Sequence, residues 1–265
     1  MQRWPLCFYL VFPGIIRHHP IMKSPPADLA LALDVPSHAA LTDLLLRLPA
    51  SLRWCKVGLE LFCAQGPSII ESLRIQNKQI FLDLKLHDIP RTVERAAQAA
   101  SRHGVGLLTI HAGGGRAMIQ AAVEGARSTG EGTTKIIAVT ALTSLSDKDL
   151  HETGVAGSTA DHVLRLGDLA RAAGADGLVC SPLEVNLLRQ RLGPDIFLIT
   201  PGIRSGAEPA GDQKRTATVA DAVAGGSNLL VVGRPIVEAL DPHAATLRIL
   251  DEIAHANQSS QHRTP

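Results

Sequence analysis

Eight short apolar runs, each followed by a longer amphipathic stretch, constrain this chain more than any other feature. The runs are Leu29–Asp34, Arg53–Gly58, Gln79–Lys85, Val105–His111, Lys135–Ala141, Gly177–Ser181, Ile196–Pro201 and Asn228–Gly233. They are nearly continuous in Val, Ile and Leu, the pattern of strands covered on both faces, as in a parallel sheet. The stretches between them read as helices over Ser37–Leu48, Glu60–Gln76, Pro90–His103, Arg116–Ser128, Thr159–Ala173, Leu183–Leu192, Thr216–Ala224 and Ile236–Ala254. Ser37 is a good N-cap, and Pro49 stops that first helix.

Eight strand–helix units over residues 22–265 match the α/β class and a single-domain (β/α)8 (TIM) barrel, which usually takes ~250 residues. A doubly wound open sheet shares the alternation and stands as the runner-up. No G-x-G-x-x-G follows the first strand, where Asp34-Val35-Pro36-Ser37 stands, and no G-x-x-x-x-G-K-[ST] occurs. The triplet Gly113-Gly114-Gly115 reads as a tight strand-to-helix turn rather than a phosphate cradle.

Residues 1–21 have a different character. Half of the aromatics (Trp4, Phe8, Tyr9, Phe12) lie there, with Arg3 and Arg17 but no acid before Asp28. Removing those two arginines takes the net charge from +1 to −1. The run Leu6–Phe12 is too short to span a membrane, Pro13-Gly14 interrupts it, and no small-x-small cleavage site follows. We expect an extension outside the folded unit, with Met22 as the start of the barrel domain. Lys and Arg number 26 against 25 Asp and Glu, a balance that argues against nucleic acid or an anionic membrane as partner. Cys7, Cys55, Cys63 and Cys180 are scattered, with neither zinc spacing nor a disulfide framework, and read as buried apolar fillers in a reducing compartment.

In such barrels the chemistry lies at the C-terminal ends of the strands. Those ends are rich here: Asp34; Lys56; Asp83, Lys85, His87 and Asp88; His111; Thr140 and Thr143; Ser181; Arg204; and Gly233-Arg234. In the third strand, period two places Leu82, Leu84 and Leu86 on one face and Asp83, Lys85 and His87 on the other. Three ionisable groups in a barrel mouth are costly unless paired. They form either a purely structural Asp–Lys pair or a reacting centre. Asp88 precedes Ile89-Pro90 and serves equally as a helix cap or a site residue. Lys56 has no sheet edge to snorkel from, which favours an inward role. Ser37 is better placed than Asp34 to cap the first helix.

The last two units suit a phosphate. Gly233 allows close backbone approach, Pro235 fits a first helical turn, and Arg234 makes bidentate contacts. Arg204 in Pro201-Gly202-Ile203-Arg204 adds a second guanidinium; for Arg234 taken alone the alternative is a surface arginine at a tight turn. The polar, Gly-rich loop Ser205–Arg215 is long enough to be a binding lid, with Gln213 within it. No pair of histidines has metal-ligand spacing on one element, and no G-x-S-x-G supports a serine nucleophile.

Together these residues resemble the orotidine 5′-phosphate decarboxylase family. The matching pieces are Leu31-Ala32-Leu33-Asp34, Lys56-Val57-Gly58, Asp83-Leu84-Lys85-Leu86-His87-Asp88-Ile89-Pro90, Val139-Thr140-Ala141-Leu142-Thr143-Ser144, Pro201-Gly202-Ile203-Arg204, Gly211-Asp212-Gln213 and Val232-Gly233-Arg234-Pro235. They stand in family order from 31 to 235; residues 1–21 have no counterpart. The resemblance implies a cytoplasmic carbon–carbon lyase that converts orotidine 5′-phosphate to UMP and CO2 in pyrimidine synthesis. It implies Lys85 as proton donor, with Asp83, Lys56 and Asp88 completing the catalytic charges. Asp88 is expected to reach the neighbouring subunit's site in a homodimer. It further implies Asp34 and Lys56 on the ribose, Thr92 and Thr143 in the nucleotide pocket, and Arg204, Gln213, Gly233 and Arg234 on phosphate. No metal or organic cofactor is implied. Two alternatives remain: a Mg2+-dependent phosphate-sugar decarboxylase or aldolase sharing D-x-K-x-x-D, and a non-catalytic phospho-ligand sensor.

Overall fold

The computed structural model describes residues 25–130, 134–204 and 215–261. Each of the eight expected runs overlaps a strand, β1 and β3 extending one residue beyond theirs: β1 (Asp28–Ala32), β2 (Trp54–Val57), β3 (Gln79–Leu86), β4 (Leu107–His111), β5 (Lys135–Val139), β6 (Gly177–Val179), β7 (Phe197–Thr200) and β8 (Leu229–Val232). Every strand is parallel to its successor, and β8 pairs with β1 from Asp28↔Leu229 to Leu31↔Val232, closing the barrel. The closure removes the open-sheet alternative.

Six of the expected helices are found as single helices, shifted by up to three residues at their ends. Ser37 caps the first, accepting from the Ala40 N–H at 3.2 Å. The other two are each divided. Leu59–Gln65 and Ser68–Ile75 are separated by Gly66, at φ +64°, and by Pro67, which has no N–H to continue a helix. Arg234–Val237 and Pro242–Gln261 are likewise separate, with Pro242 opening the long second piece. An unexpected short helix, Asp147–Glu152, is held by a reciprocal Ser146–Asp149 capping box. It is too short and polar to leave a periodic apolar signal.

Alternation along each strand divides the core in two. Outward residues such as Leu29, Leu31, Cys55, Val57, Ile80, Leu82, Leu108 and Ile110 pack under the helices. Inward residues Ala30, Ala32, Phe81, Leu107, Ile137, Ile199, Leu229 and Val231 fill the barrel. Each fully buried Leu, Ile or Phe contributes roughly 1.5–3 kcal/mol, so this double shell is the main source of stability. Burial pushes the Cys55 and Cys180 thiols up to about 12, which leaves them as inert fillers, whereas Cys63 is exposed.

The barrel interior changes character along its axis. Near the N-terminal ends of the strands, Trp54 and Phe197 close the filling, with the Lys135 ammonium 5.4 Å from the Phe197 ring centre. Phe81 is the largest side chain buried in the middle. Above it the inward positions become Lys56, Asp83 and Thr109, so the barrel filling turns polar toward the mouth.

Candidate active site

The apolar filling ends in a floor of Ala32, Phe81, Val179, Ile199 and Val231, over which lies a cavity of about 260 Å3. Asp34, Lys56, Asp83 and Lys85 form one wall, from the first three strand ends. Thr143, Pro201, Gly202, Arg204, Gly233 and Arg234 complete the rim from the fifth, seventh and eighth. Eight sequence-predicted residues thus meet at one cavity: Asp34, Lys56, Asp83, Lys85, Thr143, Arg204, Gly233 and Arg234.

The charged wall is a continuous array. Lys85 Nζ donates to Asp83 Oδ1 at 2.9 Å, Lys56 Nζ stands 3.4 Å from Asp83 Oδ2, and Lys56 Nζ is 3.7 Å from Asp34 Oδ1. The two inner side chains are nearly buried, with Lys56 12% and Asp83 11% exposed, while Lys85 is 30% and Asp34 59% exposed. Burial by itself raises the Asp83 carboxyl. The charges of Lys56 and Lys85, with hydrogen bonds from Lys85 and Thr109, outweigh it and hold Asp83 below its ordinary value of 3.8. The buried carboxylate is therefore ionised between two ammonium groups.

Two glycines approach this array. A Cβ on Gly58 would lie 3.2 Å from Lys56 Nζ and 3.5 Å from Asp34 Oδ1, so a side chain there would press on the lysine end. A Cβ on Gly233 would meet Ala32 Cβ and Asp34 Oδ2 at 3.4 Å, an ordinary contact, so Gly233 keeps the wall open without being forced by its backbone.

The alternation expected of the third strand holds. Leu82, Leu84 and Leu86 pack on the outer shell, while Asp83 and Lys85 meet on the other face. His87 continues that face and stacks on His111, ring centres 5.3 Å apart. Burial, with the nearby His87 and Lys85 charges, lowers the His111 pKa. Neither histidine lines the cavity.

The strand is nonetheless irregular. Between Leu82↔Leu108 and Leu86↔Ile110, β3 advances four residues while β4 advances two. Within this bulge Lys85 has φ +49°, in the left-handed region that non-glycine residues rarely enter.

Thr109 is the residue that sequence reasoning passed over. Fully buried on β4, its hydroxyl accepts the Lys85 backbone N–H at 2.8 Å and donates to Asp83 Oδ1 at 2.9 Å. In Leu107-Leu108-Thr109-Ile110-His111 it looks like an ordinary β-branched strand residue. A second unanticipated residue, Arg215, pairs with buried Glu184 and donates to the Leu142 carbonyl at 3.0 Å, beside Thr143.

Other expected residues lie elsewhere. Asp88 and Thr92 are exposed and outside the cavity; Asp88 Oδ1 accepts the Ile89 N–H at 2.6 Å. Thr140 donates to the Val179 carbonyl, and Ser181 forms a capping box with Glu184, so both serve the scaffold. Gln213 and the Met22 boundary fall outside the described residues.

Comparison with known proteins places this geometry in context. A family profile described as "Orotidine 5'-phosphate decarboxylase / HUMPS family" matches residues 27–249. An orotidine 5′-phosphate decarboxylase of Halorhodospira halophila is 48% identical over 231 residues, covering 87% of this chain and 98% of the relative. One from Opitutus terrae is 46% identical over 226 residues, covering 85% and 98%. Among solved structures, the orotidine 5′-phosphate decarboxylase of Lactobacillus acidophilus superposes with a TM-score of 0.76 at 40% identity, covering 87% of this chain and 99% of that one.

Proposed function

The chain belongs to the orotidine 5′-phosphate decarboxylase / HUMPS family, and from that premise we propose how its cavity divides the work. The chain is a carbon–carbon lyase of pyrimidine biosynthesis, converting orotidine 5′-phosphate to UMP and CO2. Relatives at 44–48% identity carry the decarboxylase name, which favours this reaction over phosphate-sugar chemistry or ligand sensing.

The observation that carries the assignment is one cavity with a lysine–carboxylate array on one wall and two arginines on another. The arginine side takes the phosphate: Arg234 and Arg204 as charged donors and Gly233 as backbone approach, with Gln213 as a further donor. Asp34 and Lys56 face the ribose hydroxyls and Thr143 borders the nucleotide, whereas Thr92, exposed and outside this cavity, is assigned with Asp88 to the site of a second copy. The base then lies over the apolar floor with C6 toward Lys85.

As the C6–carboxylate bond breaks, CO2 leaves and the electron pair stays on C6. The Lys85 ammonium delivers its proton there, giving UMP and a neutral amine that solvent reprotonates. Before that step the ammonium stabilises the developing carbanion, and the Asp83 hydrogen bond fixes its position. Asp83 also faces the departing carboxylate, so loss of CO2 relieves a like-charge contact.

Asp88 acts on the site of a second copy of this chain in a homodimer. Support comes from its exposure beside Ile89, itself 67% exposed, and from its place outside its own cavity. Among the described residues no helix is long and apolar enough to cross a membrane. A cytoplasmic location belongs to the same reading and suits the unpaired cysteines.

The test follows orotidine 5′-phosphate loss by absorbance, with and without EDTA, for the parent protein and Lys85→Ala. Parent turnover is expected to survive EDTA. The variant should lose at least ~10^4-fold in kcat while still binding UMP. EDTA-abolished turnover, or near-parent turnover by Lys85→Ala, overturns the assignment.

A further inference from the structure

We infer that Thr109 is a positioning residue for the decarboxylation, holding Lys85 and Asp83 in their reacting arrangement through one hydroxyl. The inference rests on the proton-donor role given above to Lys85.

The argument starts from the bulge in β3. Backbone groups along β3 face its two neighbours alternately: the Gln79 N–H bonds the Arg53 carbonyl on the β2 side, and the Ile80 carbonyl accepts from Gly106 on the β4 side, so regular alternation would aim the Lys85 N–H toward β2. β2 ends at Val57, and the two extra residues between Leu82 and Leu86 turn that N–H toward β4 instead. A buried N–H must find another acceptor. The Thr109 hydroxyl, at 2.8 Å, is that acceptor. A backbone N–H only donates, so the hydroxyl proton is directed away from Lys85. It points to Asp83 Oδ1, 2.9 Å away.

The same carboxylate oxygen receives Lys85 Nζ at 2.9 Å. Thr109 therefore closes a loop: Lys85 backbone to hydroxyl, hydroxyl to Asp83, Asp83 to the Lys85 ammonium. Both ends of Lys85 are fixed by one small side chain and one carboxylate. This matters because φ +49° is a conformation that lysine does not favour by itself. With the anchoring bond, the left-handed backbone aims the side chain into the cavity; without it, the bulge is free to relax and the ammonium to move. Thr109 is fully buried and does not line the cavity, so its influence passes through Lys85 and Asp83 rather than through substrate contact.

The test compares Thr109→Val, which keeps the branched shape without the hydroxyl, Thr109→Ala as a second removal, and Thr109→Ser, which retains the hydroxyl. Each is assayed for kcat, KM and the pH dependence of kcat, beside parent and Lys85→Ala. Removal of the hydroxyl should lower kcat by about 10- to 100-fold with KM changed by less than about threefold. The acid limb of kcat should move to higher pH as Asp83 loses a stabilising donor. Thr109→Ser should restore kcat to within about threefold of parent and return the acid limb.

A parent-like kcat in both Val and Ala variants overturns the inference. So does a rise in KM alone, or a serine variant as impaired as the valine one, which would mark a packing role. If Lys85→Ala retains turnover, the proton-donor reading itself fails, an outcome distinct from failure of Thr109.

Discussion

Asp83→Asn removes the charge on which the array converges while nearly preserving its size. The parent carboxylate has one ammonium at 2.9 Å and another at 3.4 Å. At an effective dielectric of 20, those separations correspond to gross attractions of about 6 and about 5 kcal/mol. Desolvation cancels much of this. Removing one partner of a buried pair typically costs ~3–5 kcal/mol, because the remaining charge loses its counter-ion. Lys85 can turn partly toward water and Lys56 still has Asp34 at 3.7 Å, so we place the loss near the lower end, about 3 kcal/mol. For a chain of this size that is a fall in melting temperature of about 6–12 °C.

The pH dependence has a definite sign. Asp83 titrates below 3.8 in the folded protein, so its contribution is fully present above the unfolded aspartate value. It is lost as pH falls through the lower folded value. Asn does not titrate. Denaturant unfolding of parent and variant should therefore give a stability difference that is flat from about pH 5 upward and narrows toward acid. At pH 7 kcat should also fall by at least ~100-fold as Lys85 loses its anchor. A variant as stable as the parent at pH 7, or a difference that widens on acidification, refutes the reasoning.

Two further outcomes test the rest of the site. Arg234→Ala removes a charge-assisted phosphate contact worth ~1.5–3 kcal/mol, so kcat/KM should fall by about 10- to 150-fold, chiefly through KM; an unchanged kcat/KM excludes the phosphate role. Asp88→Ala and Lys85→Ala proteins, each inactive alone, should regain up to about a quarter of parent activity when dissociated, mixed in equal amounts and reassociated, since half the dimers are then mixed and each carries one intact site. No recovery would place Asp88 in its own subunit's chemistry or outside it.

What was legible in the sequence follows from which forces dominate locally. The strands could be read because burial on both faces demands uninterrupted apolar residues, and the polar strand ends stood out against them. Lys56, Asp83 and Lys85 are conspicuous because charge inside a barrel is expensive, and Asp34 and Arg234 because each directly follows an apolar strand run. Helix boundaries were harder. Gly66-Pro67 divides a stretch whose apolar periodicity runs through the break, so backbone geometry overrides the side-chain pattern there. Thr109 was invisible for the opposite reason. β-branching makes Thr a normal strand residue, and nothing in its neighbours announces that its hydroxyl receives the Lys85 N–H that the bulge turns toward it. Asp88 was ambiguous by sequence, and a single chain shows why: its carboxylate bonds the Ile89 N–H and faces outward.

The irregularity at Lys85 ties these observations together. Period two assigned Asp83, Lys85 and His87 to one face, and the structure keeps that assignment through a bulge that should have disturbed it. Two extra residues preserve the alternation of faces, since two is the period of a strand, while breaking the hydrogen-bond register with β4. A bulge of one residue would have turned Leu86 inward and His87 outward. Thus β3 frees the backbone around Lys85 without moving any leucine out of the outer shell. The cost is a left-handed lysine and a backbone N–H without a strand carbonyl to receive it, and both fall where Thr109 and Asp83 meet them. Backbone strain at this position is better explained by the site than by the barrel, because seven other strands close the same sheet without a non-glycine residue at positive φ. The regular strands build the container; the irregular one aims Lys85 into it.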